Sequence, residues 1–373
     1  MLTNADMTAE SGDVTLILRR AHAFAHELGM TTTCMILNDQ DAIPADRPGI
    51  RFVKINYFGA ADEYIREHHP AKVIFYGLRM YPYVVSRLKK WGPQTAILLD
   101  IQGALEELVE HPQPGAGLKN QIKYRYHRRH LQNAMRVADG ALVVSDQLGQ
   151  YCLDDLDPKR VSQFQIHKVR CGIDELITVP QRLAWREKVR EAWGISPQTV
   201  VPVFSGYRLP WQKVDEIIAI FQKLDQQHQD IFFAFFCNMD PEFSQQLANA
   251  FPRGNYVVSY LSREAYFPHL CACDVGMLLR DYTTTNWVAF PNKFSDYLNA
   301  GLMVAMNRAV PEPYGLLADY KIPFVDLEID ANRLYTAAMA RQHDLAGYYG
   351  IVDPMSQNEL LYATQVQKLG WKP

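Results

Sequence analysis

Several short groups of residues in this chain could do chemistry on a charged substrate. The first is Ser205-Gly206-Tyr207-Arg208-Leu209-Pro210-Trp211-Gln212-Lys213, which follows an apolar run and opens a helix-period stretch. Gly206 permits a tight turn, amides at a helix start favour an anion, and Arg208 and Lys213 bring two positive charges to that point. Such a group would hold a diphosphate and offset its charge as it leaves. A solvated basic loop would show the same spacing. The second group runs from Cys273-Asp274-Val275 out to Arg280-Asp281, then through Pro291-Asn292-Lys293 to Asp296. Pro291 and Asn292 suit a helix start. Asp296, about one turn into that helix, could accept paired hydrogen bonds from a ribose diol or simply complement the positive end of the helix dipole. Lys293 could reach a phosphate or point to water.

The third group, Asp100, Gln102, Glu106 and Glu107, sits at the mouth of an otherwise apolar strand and is a candidate catalytic face. Glu106 and Glu107 would equally suit a solvated helix. The fourth is a basic stretch. From His111 to Ala138 there is no Asp or Glu, while Lys119, Lys123, Arg125, Arg128, Arg129 and Arg136 occur with Tyr124 and Tyr126 between them. A basic helix with aromatics can lie on an anionic membrane or meet an anionic acceptor, or be a solvated face.

The elements that must position these groups alternate from end to end. Thr32–Leu37, Arg51–Asn56, Lys72–Tyr76, Thr95–Asp100 and Ala141–Ser145 read as strands, with helix-period stretches between them. Ile17, Ala21, Phe24, Ala25 and Leu28 make one apolar stripe that Gly29 stops. After Cys171–Pro180 a charged helix over Gln181–Trp193 leads into a second series: Val200–Ser205, Ile231–Cys237, Tyr256–Val258, Asp274–Leu279, Leu302–Met306 and Pro323–Val325. Val214, Ile217, Ile218, Phe221 and Leu224 mark the helix after the first of these. Strand–helix alternation implies parallel sheets, so the chain reads as two α/β units with a small-molecule site expected between them. Asn358–Leu369 is helical by pattern.

The length of 373 residues suits two domains, and 48% hydrophobic with 21% charged residues suits a globular chain. A net charge of -3 argues against a global attraction for nucleic acid. No apolar run reaches the roughly 20 residues of a membrane span, and Met1–Ser11 lacks the basic flank and apolar core of a secretory signal, so a cytoplasmic location is expected. The six cysteines form no CxxC pair, and Cys271-Ala272-Cys273 has no second pair to complete a zinc site, so packing thiols and no metal are expected. Asp155-Leu156-Asp157 precedes Pro158 and reads as a turn. Gly115-Ala116-Gly117 lacks both a preceding strand and the third glycine of a dinucleotide loop.

The order strand, DVGxLLR, polar loop, PxKxxDYLxxG, apolar strand resembles the carboxy-terminal domain of family 4 glycosyltransferases. That family carries an E-x7-E motif whose second Glu binds ribose. Asp296 occupies its place, and Val288 stands where the first Glu would be, leaving Asn286 or the Asp281 loop to serve beside the sugar. The segment around Gly206 is similar to the family's Gly-Arg-Leu…Lys diphosphate clamp. Gly12, between Ser11 and Asp13, resembles its glycine-bearing loop after the first strand. Ala138-Asp139-Gly140 to Val144-Ser145 and Val169–Asp174 resemble further family segments, and Gln102 stands where many relatives place a His.

The resemblance spans roughly residues 1–313 and implies a GT-B fold: two Rossmann-like parallel-sheet domains facing an interdomain cleft. On that reading residues 1–175 form the acceptor-side domain, 176–350 the nucleotide-sugar domain, and 351–373 a helix packing back on the first. It also implies retaining sugar transfer from a nucleotide-diphosphate sugar to a glycan or lipid-linked acceptor in cell-envelope or capsular polysaccharide synthesis, without a cofactor. Lys213, Arg208, Gln102 and Asp100 would be catalytic; Gly206, Arg280, Asn292, Lys293 and Asp296 would bind the donor; Gly12, Glu106 and Glu107 would face the acceptor. Peripheral contact with the inner face of the plasma membrane would run through residues 119–136. The rival readings are a sugar-nucleotide epimerase of the same architecture and a non-catalytic sugar-binding protein.

Overall fold

The computed structural model describes residues 1–8, 12–37, 43–87, 91, 94–111 and 117–372, with only the backbone of residues 12, 13, 86 and 87. Ser11 and the Gly115-Ala116 pair lie outside the described residues. Two compact units appear: Met1–Asp174 with Tyr362–Pro373, and Glu175–Leu361.

The first unit holds a seven-stranded sheet of β1 (Leu2–Thr3), β2 (Thr32–Ile36), β3 (Ile50–Lys54), β4 (Lys72–Tyr76), β5 (Ala96–Asp100), β6 (Gly140–Val143) and β7 (Gln165–Lys168). Its order is β3-β2-β1-β4-β5-β6-β7, and the pairs are parallel. The second unit holds β8 (Pro202–Ser205), β9 (Phe233–Phe236), β10 (Tyr256–Val258), β11 (Val275–Leu278), β12 (Met303–Met306) and β13 (Val325–Asp326). These also pair in parallel, in the order β10-β9-β8-β11-β12-β13. Strands β6, β8, β9, β11 and β12 are buried along their whole length, as near-continuous apolar runs covered by helices on both faces should be.

Helices begin and end where their caps allow. Thr178 accepts the Gln181 amide at the start of the Val179–Trp193 helix, and Gly194 ends it at φ 67°. The Gly12–Glu27 helix stops before Gly29 at φ 63°. Gly12 is thus helical rather than part of the loop expected around it. The continuous helix expected over Asn358–Leu369 is divided. A π-turn covers Ser356–Leu360, Leu361 is extended, and a short helix follows at Tyr362–Gln367. The break falls where the chain leaves the second unit, and the Tyr362 amide donates to the Ile173 carbonyl at 3.0 Å.

One glycine decides how the Asn292–Asn299 helix sits on its sheet. A Cβ on Gly276 would come within 2.2 Å of the Tyr297 ring, which lies across β11. The Tyr297 hydroxyl bonds Ser205 Oγ at 3.0 Å. Gly276→Ala must push that helix outward, and the expected cost is about 1–3 kcal/mol, read as a lower urea midpoint with unchanged m-value. A midpoint equal to wild type would show that the ring swings aside freely.

Candidate functional site

The strand order of the second sheet reverses between β8 and β11. Loops leaving the carboxyl ends of these neighbours diverge, and ligands of open parallel sheets bind in the gap. After Ser205 the chain turns at Gly206, with φ 109°, and the Gly206 amide donates to the Phe236 carbonyl at 2.9 Å. A 3-10 turn over Pro210–Gln212 leads to Lys213, itself left-handed at φ 51°, ψ 45°, which starts the Val214–Gln227 helix. On the other side of the gap, β11 runs out to Arg280. Asn307 fixes that backbone, accepting the Arg280 amide at 3.1 Å and donating to its carbonyl at 2.8 Å. The Asn292–Asn299 helix then begins after Pro291 without a side-chain cap, and its Phe294 amide donates to the Pro291 carbonyl at 3.0 Å.

Lys293 and Arg280 meet at this gap, and both are buried. Lys293 Nζ donates to Gln212 Oε1 at 2.7 Å and sits 4.6 Å from the centre of the Phe204 ring. A Cβ placed on Gly206 would lie 3.6 Å from that same Nζ, so the lysine tip reaches the turn after β8. Arg280 Nε and Nη1 are buried and have no hydrogen-bond partner among the described residues. Burial pushes the Lys293 ammonium well below its ordinary pKa, and the like charge of Arg280 adds to the effect. Burial likewise pushes Arg280 down to about 10 and raises the nearby Cys237 thiol to about 11. Two cations removed from water without a carboxylate are costly, and an anion entering the gap would relieve that cost.

The residues chosen from sequence as the diphosphate clamp are arranged differently. Arg208 pairs with Asp240 and stacks 4.2 Å from the Phe243 ring centre. Lys213 Nζ meets Glu216 Oε1 at 2.6 Å and Asp281 Oδ1 at 2.9 Å. Each already has a carboxylate, whereas Arg280 and Lys293 form no ion pair among the described residues. Asn292 and Asp296 are half-buried on the helix that carries Lys293. Val288 is fully buried, and Asn286 is consumed in folding its own loop, donating to the Asp281 carbonyl at 2.9 Å and to Thr283 Oγ1 at 3.1 Å. Asn286 is thus held by its own loop, and the Asp281 carboxylate is paired with Lys213.

In the first unit, Asp100 is enclosed with Arg20, whose Nη1 it accepts, while Arg20 Nη2 donates to the Val169 carbonyl at 2.7 Å. The Asp100 side chain, read from sequence as a catalytic carboxylate, is here a buried counter-ion for Arg20. Gln102 Nε2 donates to Asp100 Oδ1 at 3.4 Å and its Oε1 accepts from Tyr76 Oη at 3.0 Å, so it is held at the end of β5 by its neighbours. Glu106 is no solvated helix residue either. It accepts from Tyr124 at 2.8 Å, Arg128 at 3.1 Å and Tyr151 at 2.8 Å. Glu107 is exposed at the start of the Glu107–Glu110 helix. Asp157 caps the Pro158–Val161 helix and Asp155 accepts from Arg128 at 3.0 Å, which accounts for that acidic pair.

Of the cavities among the described residues, one lies beside this gap and another lies in the first unit. One of about 210 Å³ adjoins Gly206 and is walled by Tyr207, Phe236, Tyr260, Leu261 and Tyr266. A larger one, about 430 Å³, opens beside Met1, Thr33, Lys72 and Trp371, where β1, β2 and β4 begin. Ligands of parallel sheets bind at the opposite, carboxyl ends of strands, so the smaller cavity is the relevant one.

The sequence reading missed the arginines of the Val179–Trp193 helix. Arg182, Arg186 and Arg190 are all buried, and the last two bind Asp274 at 2.7 Å each. Their spacing of four, which puts them on one helical face, was the available signal.

No protein-family model matches the chain, and no curated protein matches it by sequence. Solved structures do. A sucrose-phosphate synthase from Thermosynechococcus elongatus aligns with a TM-score of 0.71 at 13% identity, over 99% of this chain and 96% of that one. HepE from Anabaena, solved with UDP-glucose, gives 0.64 at 11% identity over 99% and 97%. WaaG, a glycosyltransferase involved in lipopolysaccharide biosynthesis, gives 0.61 at 14% over 99% and 97%. The chain shares their fold, GT-B, along its whole length.

Proposed function

We propose that this chain is a glycosyltransferase that moves a sugar, with retention of configuration, from a nucleoside-diphosphate sugar to a glycan or lipid-linked acceptor in cell-envelope or capsular polysaccharide synthesis. One observation carries the reading: two buried cations, Arg280 and Lys293, lie at the switch point of the second sheet and form no ion pair among the described residues. A diphosphate supplies the missing charge. The uncapped helix start at Asn292 and the turn at Gly206 add amides. The aromatic-walled cavity beside Gly206 suits a flat nucleobase, and Asp296 on the same helix suits a ribose diol. The UDP-glucose bound to HepE is a donor of this class.

The chain's contribution to the reaction is positioning and charge. As the bond between sugar and diphosphate breaks, negative charge builds on the leaving oxygens, and fixed cations in a dry site stabilise it without reorganising. Lys293 and Arg280 fill that role. The acceptor hydroxyl attacks on the face the diphosphate leaves, and its proton passes to the departing phosphate oxygen. Lys213, between Glu216 and Asp281, holds the loop after β11 to the start of the Val214–Gln227 helix and so is a positioning residue.

Thermal melting with nucleoside diphosphates tests the reading. At a hundredfold excess over Kd a ligand specific for the native state stabilises by about 2.7 kcal/mol, several degrees in Tm. UDP, GDP or ADP is expected to do so and the matching monophosphate to do so less. A flat response to all three diphosphates would remove the donor site from the second unit.

A further inference from the structure

The Gly117–Met135 helix has two faces of different character. One is tied down: Leu131, Ala134 and Met135 are buried, Tyr124 bonds Glu106, and Arg128 bridges Glu106 and Asp155 at 3.1 and 3.0 Å. The other carries Leu118, Ile122 and Tyr126, which are 75%, 62% and 54% exposed. Spaced four apart, they form one stripe along the helix. Lys119 and Lys123 lie along one side of that stripe, Arg125 and Arg129 along the other, and all four are exposed. Arg128, counted with these cations in the sequence, is spent on the inner face.

We infer that this helix lies on the surface of an anionic lipid bilayer, with Leu118, Ile122 and Tyr126 inserted among the headgroups and the flanking cations on lipid phosphates. An apolar ridge between two cationic rows is the pattern of an interfacial helix. Charge selects the occupant. No Asp or Glu occurs from His111 to Ala138, so the helix itself brings no carboxylate to an anionic surface. A second copy of the chain would set cationic rows against each other, and a nucleic-acid backbone would leave three large apolar side chains in water. Among the described residues no helix is long and apolar enough to cross a membrane, so contact through this surface would be peripheral.

Co-sedimentation of the full chain with vesicles tests the assignment. The wild type is expected to partition into phosphatidylglycerol–phosphatidylcholine vesicles at least about tenfold better than into phosphatidylcholine alone, less so at high salt. A Leu118→Asp, Ile122→Asp double variant and a variant with Lys119, Lys123, Arg125 and Arg129 all changed to Gln should each lose about tenfold or more, with melting curves unchanged because the side chains are exposed. Equal partition into both vesicle types overturns the inference, as does wild-type partition by both variants. Self-association abolished by Leu118→Asp, without vesicle binding, overturns it in favour of a second copy.

Discussion

Lys293→Met is expected to leave the protein at least as stable as wild type while lowering donor turnover, measured as hydrolysis of the nucleotide sugar, by about 10²–10³. The two effects share one cause. Lys293 is buried beside Arg280 and, among the described residues, has one amide oxygen as hydrogen-bond partner, so its charge is a burden to the fold. Methionine matches the stem, keeps the contact with Phe204 and removes that burden. In the transition state the same charge faces the leaving diphosphate and is worth most, because the surroundings are dry. A residue placed for structure would not behave this way: its loss would lower stability and activity together. A Lys293→Met protein that melts several degrees early would reassign the lysine to the fold, and normal turnover would remove it from the site.

The pH dependence of the same group has a definite sign. The ordinary pKa is 10.5 and the folded value lies well below it. Between those values the unfolded chain binds one proton more than the folded chain, so stability rises with pH across that window. Below the folded value the cost of the buried charge is complete. The groups facing the ammonium are Arg280 from the end of β11, Cys237 from the end of β9 and the neutral Gln212. Of these only the thiolate of Cys237 would oppose the shift, and burial keeps that thiol protonated up to about 11. A bound diphosphate raises the lysine pKa again, so binding should take up a proton. Titration calorimetry at about pH 9, in two buffers of different ionisation enthalpy, reads the uptake directly, and Lys293→Met should abolish it. Binding at that pH with no uptake by the wild type would show a lysine charged in both states.

Much of the scaffold was legible because it depends on local apolar runs. β4 at Lys72–Tyr76 and β10 at Tyr256–Val258 match the runs read from sequence residue for residue, and other strands differ by one or two positions at their ends. β7 was missed because Gln165–Lys168 is an edge strand with no buried position and no alternation to see. The helix read over Asn358–Leu369 broke because passage between two units is set by tertiary contacts, which a helical period does not encode. At the site, Gly206, Arg280 and Lys293 were picked out by residue type beside strand ends. What sequence could not assign was which cations are neutralised. Arg208 finds Asp240 and Lys213 finds Asp281 across gaps of 32 and 68 residues, and Arg20 finds Asp100 across 80. Partners so distant are fixed by the fold, and the roles of the charges depend on them.

Asp274→Asn should be the counterpart of Lys293→Met, costing at least about 3–5 kcal/mol in urea unfolding without touching the donor site. Asp274 is fully buried just before β11, at the strand end opposite Arg280. Arg186 and Arg190 reach its two oxygens at 2.7 Å, Arg341 at 3.1 Å and Gln342 at 2.9 Å, and the Val201 amide donates to it at 2.8 Å. The arginines also collect backbone carbonyls, Arg190 from Ser196, Pro197 and Thr199, and Arg341 from Gly301. One carboxylate therefore centres the packing of the Val179–Trp193 and Leu334–His343 helices on the sheet. Asparagine preserves the shape but leaves three guanidinium groups without a counter-charge. Burial alone would raise the Asp274 pKa, yet the arginines outweigh it and hold the carboxyl below its ordinary 3.8. The stability it contributes is thus complete above 3.8 and lost as pH falls through the lower folded value, a slope the Asn variant should not show. A cost under about 1 kcal/mol would mean the arginines are satisfied by carbonyls alone. The two substitutions apply one rule to opposite cases: a buried charge whose partners are in the chain holds the fold together, and one whose partners are absent marks where a ligand goes.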